Sequence, residues 1–447
     1  MKTQPSHIFI LVLLALLSAH CKKEISYEFS EIQEKHVTDF DAGYEAYCHL
    51  DLTTDFKLNA VQCSFYGDYH NALDQATKGE NPAGNAIMST PHQKTDTADL
   101  IKTLEMTLRN PQVDESEKSY VRKMLNLLTA PTTDELFNQA RPANAIDFIT
   151  EKAKDFHYTL INEAHFNSQH RAFTRALLKP MWDKGYRYLA LETLNHNDKD
   201  IHQRGYPVNS SGYYTKDSHF GYLVREALQI GYRLISYETQ NDHDGTLRDR
   251  DQAHNIYEKT WKQDNTEKVL IHAGYSHIYE MGSRSFEPMG FQLKNLINHD
   301  ILTIDQENMV GFKDSAKQHQ YYREAVNQFD LNEATVFLSD SDKVLVDPVN
   351  SLGIDIQVYH PETKFIHRRP HWMIRKGLNE IPLPTELTEY REHLIQAVPK
   401  GEATDAVPVD QFVISEEKVF ILDTGNYDLR LINCQGDLVA TLELEVF

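Results

Sequence analysis

Between residues 157 and 305 the chain alternates short, almost continuously apolar runs with longer stretches of helical periodicity. No other feature restricts the fold as much. The runs are HYTLIN (157–162), YRYLALE (186–192), YRLISYE (232–238), KVLIH (268–272) and ILTID (301–305). The spacing predicts helices over 168–184, 217–230, 249–263 and 288–298. A strand with helices on both faces buries every residue, so it reads as apolar throughout. Strand–helix–strand units of this length make right-handed crossovers. The expected fold is therefore α/β, a mostly parallel doubly wound sheet with helices on both faces.

The flanks read differently. Residues 22–45 are polar and read as a tether; beyond them DLIKTLEMTLRN (99–110) and SEKSYVRKMLNLLTA (116–130) have helical spacing. Phe65-Tyr66-Gly67-Asp68-Tyr69, followed by Ala72-Leu73, has the look of one helical-repeat hairpin with no second copy. After 310, ATVFLSD, KVLVDP and IDIQVYH are short strand candidates, and a proline-bounded helix is expected over 384–397. Pro399-Lys400-Gly401-Glu402 reads as a linker to a small C-terminal antiparallel β module with turns at Gly425 and Gly436. The 447 residues suit two or three domains. The expected division is a leader over 1–20, a helical N-terminal region over 22–145, an α/β domain over 146–397 and the β module over 403–447.

Residues 8–17, IFILVLLALL, make an apolar run of ten behind Lys2, the length of a signal-peptide core and too short to span a bilayer. Leu17-Ser18-Ala19-His20-Cys21 follows, which resembles a bacterial lipoprotein signal with Cys21 as the lipidated residue; cleavage near Ala19 is the alternative. Either way the expected location is extracytoplasmic, and with lipidation the periplasmic or outer-membrane surface. The net charge of −21 becomes −22 once Lys2 is removed, so no basic field is available for nucleic acid. In an oxidising compartment Cys48 and Cys63 are the expected disulfide, closing a short loop and leaving Cys434 over.

No HExxH, GxSxG, Walker A or GxGxxG pattern occurs. The chemistry has to be sought by position. Ligands of open α/β sheets bind beyond the carboxyl ends of the strands. Those ends carry Glu163 and His165, Glu192, Glu238, His272 with His277, and Asp305. Glu163 and His165 are two apart on an extended chain and so face the same way, with His170 in the first turn of the next helix. Such a pair can orient an imidazole that activates water, supply ligands to Zn, Mn or Fe, or make a strand-end salt bridge. The loop holding Gly205-Tyr206-Pro207 and Gly212-Tyr213-Tyr214-Thr215 reads as a substrate lid or a solvated insertion. His367-Arg368-Arg369-Pro370-His371-Trp372 reads as a surface cluster or an anion site.

Asn162-Glu163-Ala164-His165 with His170, Gly185-Tyr186-Arg187-Tyr188-Leu189-Ala190-Leu191-Glu192, Leu247-Arg248-Asp249-Arg250-Asp251-Gln252-Ala253-His254-Asn255-Ile256 and Ala273-Gly274-Tyr275-Ser276-His277 together resemble the erythromycin esterase/ChaN-like superfamily. The resemblance covers about 155–305. It implies a hydrolase in which His165 is the base, Glu163 and Glu192 its carboxylates, Arg248 an anion clamp and His277 the second imidazole. Glu163, His165, Glu192 and His277 are also its candidate metal ligands, with His170, Glu238 and His272 secondary. Asn162 stands where the family has Gly, and the Glu-x-His spacing is the ChaN-like one, which argues against erythromycin itself. The expected activity is cleavage of a small-molecule ester or amide by His-activated water, with a divalent metal or haem as candidate cofactors. The alternative is a haem- or iron-capturing surface lipoprotein without turnover, for which any of the 23 Tyr is a candidate ligand. A third is a scaffold with a vestigial crevice.

Overall fold

Six parallel strands form the centre of the computed structural model: β1 (Tyr158–Glu163), β2 (Tyr186–Leu191), β3 (Arg233–Ser236), β4 (Lys268–Gly274), β5 (Leu302–Asp305) and β6 (Ile356–Gln357). Their order is β6-β5-β1-β4-β2-β3, and every pairing is parallel. Helices α1 (Ser168–Asp183), α2 (Ser218–Ile230), α3 (Gly245–Lys259) and α4 (Met289–Ile297) occupy the connections. The structure describes residues 26–79, 97–113, 133–282, 286–312, 314–347, 353–374, 378–415 and 419–447, with 118, 121, 122 and 125. The leader, Cys21 and most of 116–130 lie outside the described residues.

Successive side chains on a strand point to opposite faces, and the apolar runs divide accordingly. Ile161, Leu189, Leu191 and Leu270 pack with Leu177, Leu178, Leu223 and Val224 of α1 and α2. Leu160, Tyr188, Ala190 and Ile271 pack on the other face with Ala253, Ile256, Leu293 and Ile297 of α3 and α4. Each buried Leu or Ile contributes about 1.5–3 kcal/mol, which is why the runs carry no polar alternation. From β1 the chain crosses toward β2, whereas from its neighbour β4 it crosses the opposite way to β5. This divergence leaves a crevice beyond the carboxyl ends of β1 and β4.

The C-terminal sheet is antiparallel and larger than expected. It contains β7 (Leu394–Pro399), β8 (Asp410–Val413), β10 (Gly425–Ile432) and β11 (Leu438–Val446), while β9 (Val419–Leu422) pairs with Asn379–Pro382. The helix expected over 384–397 is replaced by a 3-10 stretch, Thr385–Tyr390, and by β7. β7 hydrogen-bonds β8 on one side and β10 on the other, and this pairing overrides its local preference. The expected linker 399–402 is thus part of a connection inside one sheet. The expected tether is partly strand too, because Tyr27–Phe29 and Gln33–Val37 both pair with β11.

The disulfide expectation is corrected. Cys48 bonds Cys434, 386 residues away, and Cys63 is a buried free thiol. Short-loop reasoning missed that the sheet carries both chain ends to one place: Cys48 ends the helix Ala42–Cys48, and Cys434 lies in the β10–β11 turn. The 65–69 motif also has a packing role. Gly67 is left-handed at φ +69, and a methyl group there would overlap the Gln411 carbonyl of β8. Arg369 of the basic cluster is fully buried in an ion pair with Asp410, while His367 and Arg368 stay exposed, so the cluster is surface only in part.

A non-reducing peptide map should recover one cross-linked peptide joining Cys48 to Cys434, with Cys63 alkylated only after unfolding. Cys434→Ser should lower unfolding free energy by about 2–5 kcal/mol.

Candidate active site

Glu163, the last residue of β1, is 1% exposed and accepts four hydrogen bonds. Arg171 of α1 donates Nε to Oε2 and Nη2 to Oε1, both at 2.7 Å. His165 Nδ1 is 2.9 Å from Oε1, and His272 Nε2 is 2.7 Å from Oε2. Burial pushes the carboxyl pKa up, but Arg171, His272 and these hydrogen bonds outweigh it and hold Glu163 ionised, well below the usual range. Arg171 also donates to the His165 carbonyl at 2.9 Å and lies 3.2 Å from Asp217, the residue that caps α2. One guanidinium thus ties β1, α1 and the start of α2 around the Glu163 carboxylate.

With Nδ1 donating to Glu163, His165 keeps Nε2 for other partners. Its ring stacks on Tyr214 at 4.1 Å and meets Tyr275 edge-on at 4.7 Å. Beneath it is Gly274, the last residue of β4, where a methyl group would overlap the ring. Gly274 has ordinary extended geometry, φ −80 and ψ 144, so glycine is needed there for space rather than for conformation. Thr193 and Tyr275, each just past a site residue, are left-handed at φ 60 and φ 47. Such strain in non-glycine residues persists where the surroundings impose it.

A second group adjoins the first. Glu192 Oε2 accepts the Gly274 N–H, and Oε1 accepts Arg248 Nη2 at 2.9 Å. Arg248, from α3, also makes two hydrogen bonds to Glu238, Nε to Oε1 at 2.9 Å and Nη2 to Oε2 at 2.6 Å. Its Nη1 is 3.2 Å from His277 Nε2, while His277 Nδ1 is 2.8 Å from Asp249 Oδ2. Burial and Arg248 oppose a charge on His277, but the Asp249 hydrogen bond and the Glu192 carboxylate raise its pKa overall. A proton on Nε2 would nevertheless point at a guanidinium nitrogen, so this geometry accommodates the neutral ring with Nε2 as acceptor. Glu192 is held below the usual carboxylate range because His277, His165 and Arg248 outweigh its burial.

Glu163, His165, Glu192, Arg248, Glu238 and His277 are therefore one connected cluster. His272 joins it from inside the core, pinned between Glu163 and Thr174 at 3.1 Å, and does not face the cleft. His170 does not join. Its Nδ1 accepts the Ala164 N–H at 3.0 Å, and burial beside His360 holds its pKa well below the histidine range. Asp305 is buried and saturated by Asn162, Asn308 and Gln357, a structural role. Asn162 bridges β1 to β5 by donating to Asp305 at 2.7 Å. Sequence reasoning missed Arg171, Asp249 and Gly274 as site residues. Asp249 and Gly274 sat inside motifs already singled out, next to Arg248 and near His277. From the loop holding Gly205 to Thr215, Tyr214 reaches the site and stacks on the His165 ring. Past Ala164 and Tyr275 a cavity of about 470 Å³ opens, lined also by Phe166, Phe312, His319 and the N-terminal helices' Lys57.

The donors do not suit a divalent ion, which needs several of them turned to one point. Both oxygens of Glu163 and of Glu192 are hydrogen-bonded, each carboxylate is faced by a guanidinium, and His277 Nδ1 is on Asp249. Among the described residues, no group of three or more His, Cys, Asp or Glu could hold a metal ion.

Removing one partner of a buried ion pair strands the other, at about 3–5 kcal/mol. Arg171→Met should cost that much in denaturant unfolding, and Arg171→Met with Glu163→Gln should recover part of it. Because the folded Glu163 pKa is depressed, the pair's contribution is full above the ordinary glutamate range of about 4.3 and lost as pH falls through the folded value. The Arg171→Met penalty should therefore shrink in acid; a pH-independent penalty would contradict the pairing.

No family model matches this chain, and no curated protein matches it. Among solved structures it is similar to the type III effector HopBA1, at 13% identity over 40% of this chain and 94% of that one, TM-score 0.29. A structure described as bacterial protein toxins is similar at 12% identity, 66% and 76% coverage and TM-score 0.28. RRSP, a MARTX toxin effector domain from Vibrio vulnificus, is similar at 14% identity, 71% and 68% coverage and TM-score 0.26. Likeness this low carries no argument about fold or function.

Proposed function

We propose that the protein is an extracytoplasmic hydrolase of the erythromycin esterase/ChaN-like kind, cleaving a carboxylic ester or amide of a small molecule. His165 Nε2 takes a proton from water as the water oxygen bonds the carbonyl carbon. The oxyanion then collapses, and the leaving group departs with the proton returned by the imidazolium. Glu163 keeps Nδ1 protonated, orients the ring and stabilises its positive form. Arg248, backed by His277 and Glu192, is the cation assigned to the developing charge. The supporting observation is the Arg171–Glu163–His165 chain. An ionised, buried carboxylate grips one imidazole nitrogen, two aromatic rings clamp the ring, and the other nitrogen lies over Gly274.

The lipid anchor at Cys21 and the bacterial surface location belong to the same proposal; the Cys48–Cys434 bond agrees with an oxidising compartment.

A broad ester and amide screen tests the reading. His165→Ala should lower turnover by about 10²–10⁴-fold with the thermal midpoint unchanged. Gly274→Ala, whose methyl group would displace the ring and crowd Glu192 Oε2, should also be strongly impaired. Full activity in His165→Ala removes the assignment. A saturable Soret shift on haem titration, with no turnover of any ester, would replace it with haem capture.

A further inference from the structure

We propose that Asp249 and His277 are positioning residues for Arg248, forming a fixed relay that ends beneath His165. Asp249 is fully buried on α3, and its Oδ2 accepts from His277 Nδ1 at 2.8 Å and from the Met289 N–H at 2.7 Å. Met289 opens α4, so the carboxylate is held by two elements and fixes the imidazole in turn. With Nδ1 donating, the Nε2 lone pair faces Arg248 Nη1 at 3.2 Å. Glu238 holds Arg248 through Nε and Nη2.

Held on both sides, Arg248 directs Nη2 to Glu192 Oε1, and Glu192 Oε2 receives the Gly274 N–H. Gly274 is the surface on which the His165 ring rests. The relay therefore runs Asp249, His277, Arg248, Glu192, Gly274 and sets the floor of the site. The charged groups facing His277 are Asp249 and Arg248 from α3 and Glu192, 3.9 Å away, from the end of β2. In this arrangement His277 works as a neutral spacer with one donor and one acceptor. A glutamine amide offers the same pair, N–H toward Asp249 and C=O toward Arg248.

The kinetic part of the test rests on the hydrolase reading; the spectroscopic part does not. On an ester the wild type cleaves, His277→Ala should lower kcat at least 30-fold with KM little changed, and His277→Gln should regain at least tenfold of that loss. A folded His277→Gln as inactive as His277→Ala overturns the proposal, because the ring's proton would then be part of the chemistry. Should the wild type cleave no ester, the hydrolase reading fails and ring-nitrogen NMR still decides the relay. In mildly alkaline solution His277 should show a protonated Nδ1 and a bare Nε2, and Asp249→Leu should abolish that preference. A bare Nδ1 with protonated Nε2 in the wild type overturns the relay outright.

Discussion

The buried pair between Arg171 and Glu163 is the interaction on which the site depends. Taking both charges out of water costs several kcal/mol per ion unless the remaining hydrogen-bonding capacity is used. Here it is used. Glu163 accepts from Arg171 twice and is met by His165 and His272, while Arg171 continues to the His165 carbonyl and to Asp217. The pair joins β1, α1, β4 and the cap of α2 at one point. It also sets the ionisation of Glu163, which is what allows the carboxylate to grip the imidazole.

Around that centre the fold supplies direction. The chain leaves β1 and β4 toward opposite edges of the sheet, so one crevice lies beyond both their ends. Register aligns Glu163 with Gly274 across the two strands. The absent side chain of Gly274 makes room for the ring of His165, and its N–H anchors Glu192. From there Arg248 and His277 extend the network to α3, and Met289 extends it to α4. All four crossover helices touch the site or its supports, which restricts how far any one of its side chains can drift.

The sheet was legible in the sequence because strands covered on both faces leave an unmistakable apolar signature, and five of its six strands were read directly. The sixth, Ile356–Gln357, falls inside the IDIQVYH candidate, but it is two residues long and lies 50 residues beyond β5, past the helix Gln320–Gln328, so the sequence did not assign it to this sheet. Elsewhere distant pairing decided the outcome. Leu394–Pro399 reads as helix beyond its prolines but is a central strand, and Cys434 could be matched to Cys48 only by knowing that the chain ends share a sheet. In the site, acidic and imidazole side chains at strand ends announce themselves by position. Arg171 does not, since an arginine on an amphipathic helix normally signals a solvated face; its burial follows from Glu163, which only the folded chain brings beside it.

The central claim is that Glu163 fixes His165 with Nδ1 protonated and Nε2 available. Ring-nitrogen NMR on selectively labelled protein tests it most directly. In mildly alkaline solution His165 should show a protonated Nδ1 and a bare Nε2 in the wild type, and a mixture of tautomers in Glu163→Leu. A wild-type ring with bare Nδ1 and protonated Nε2, or a preference unchanged by Glu163→Leu, would contradict the account.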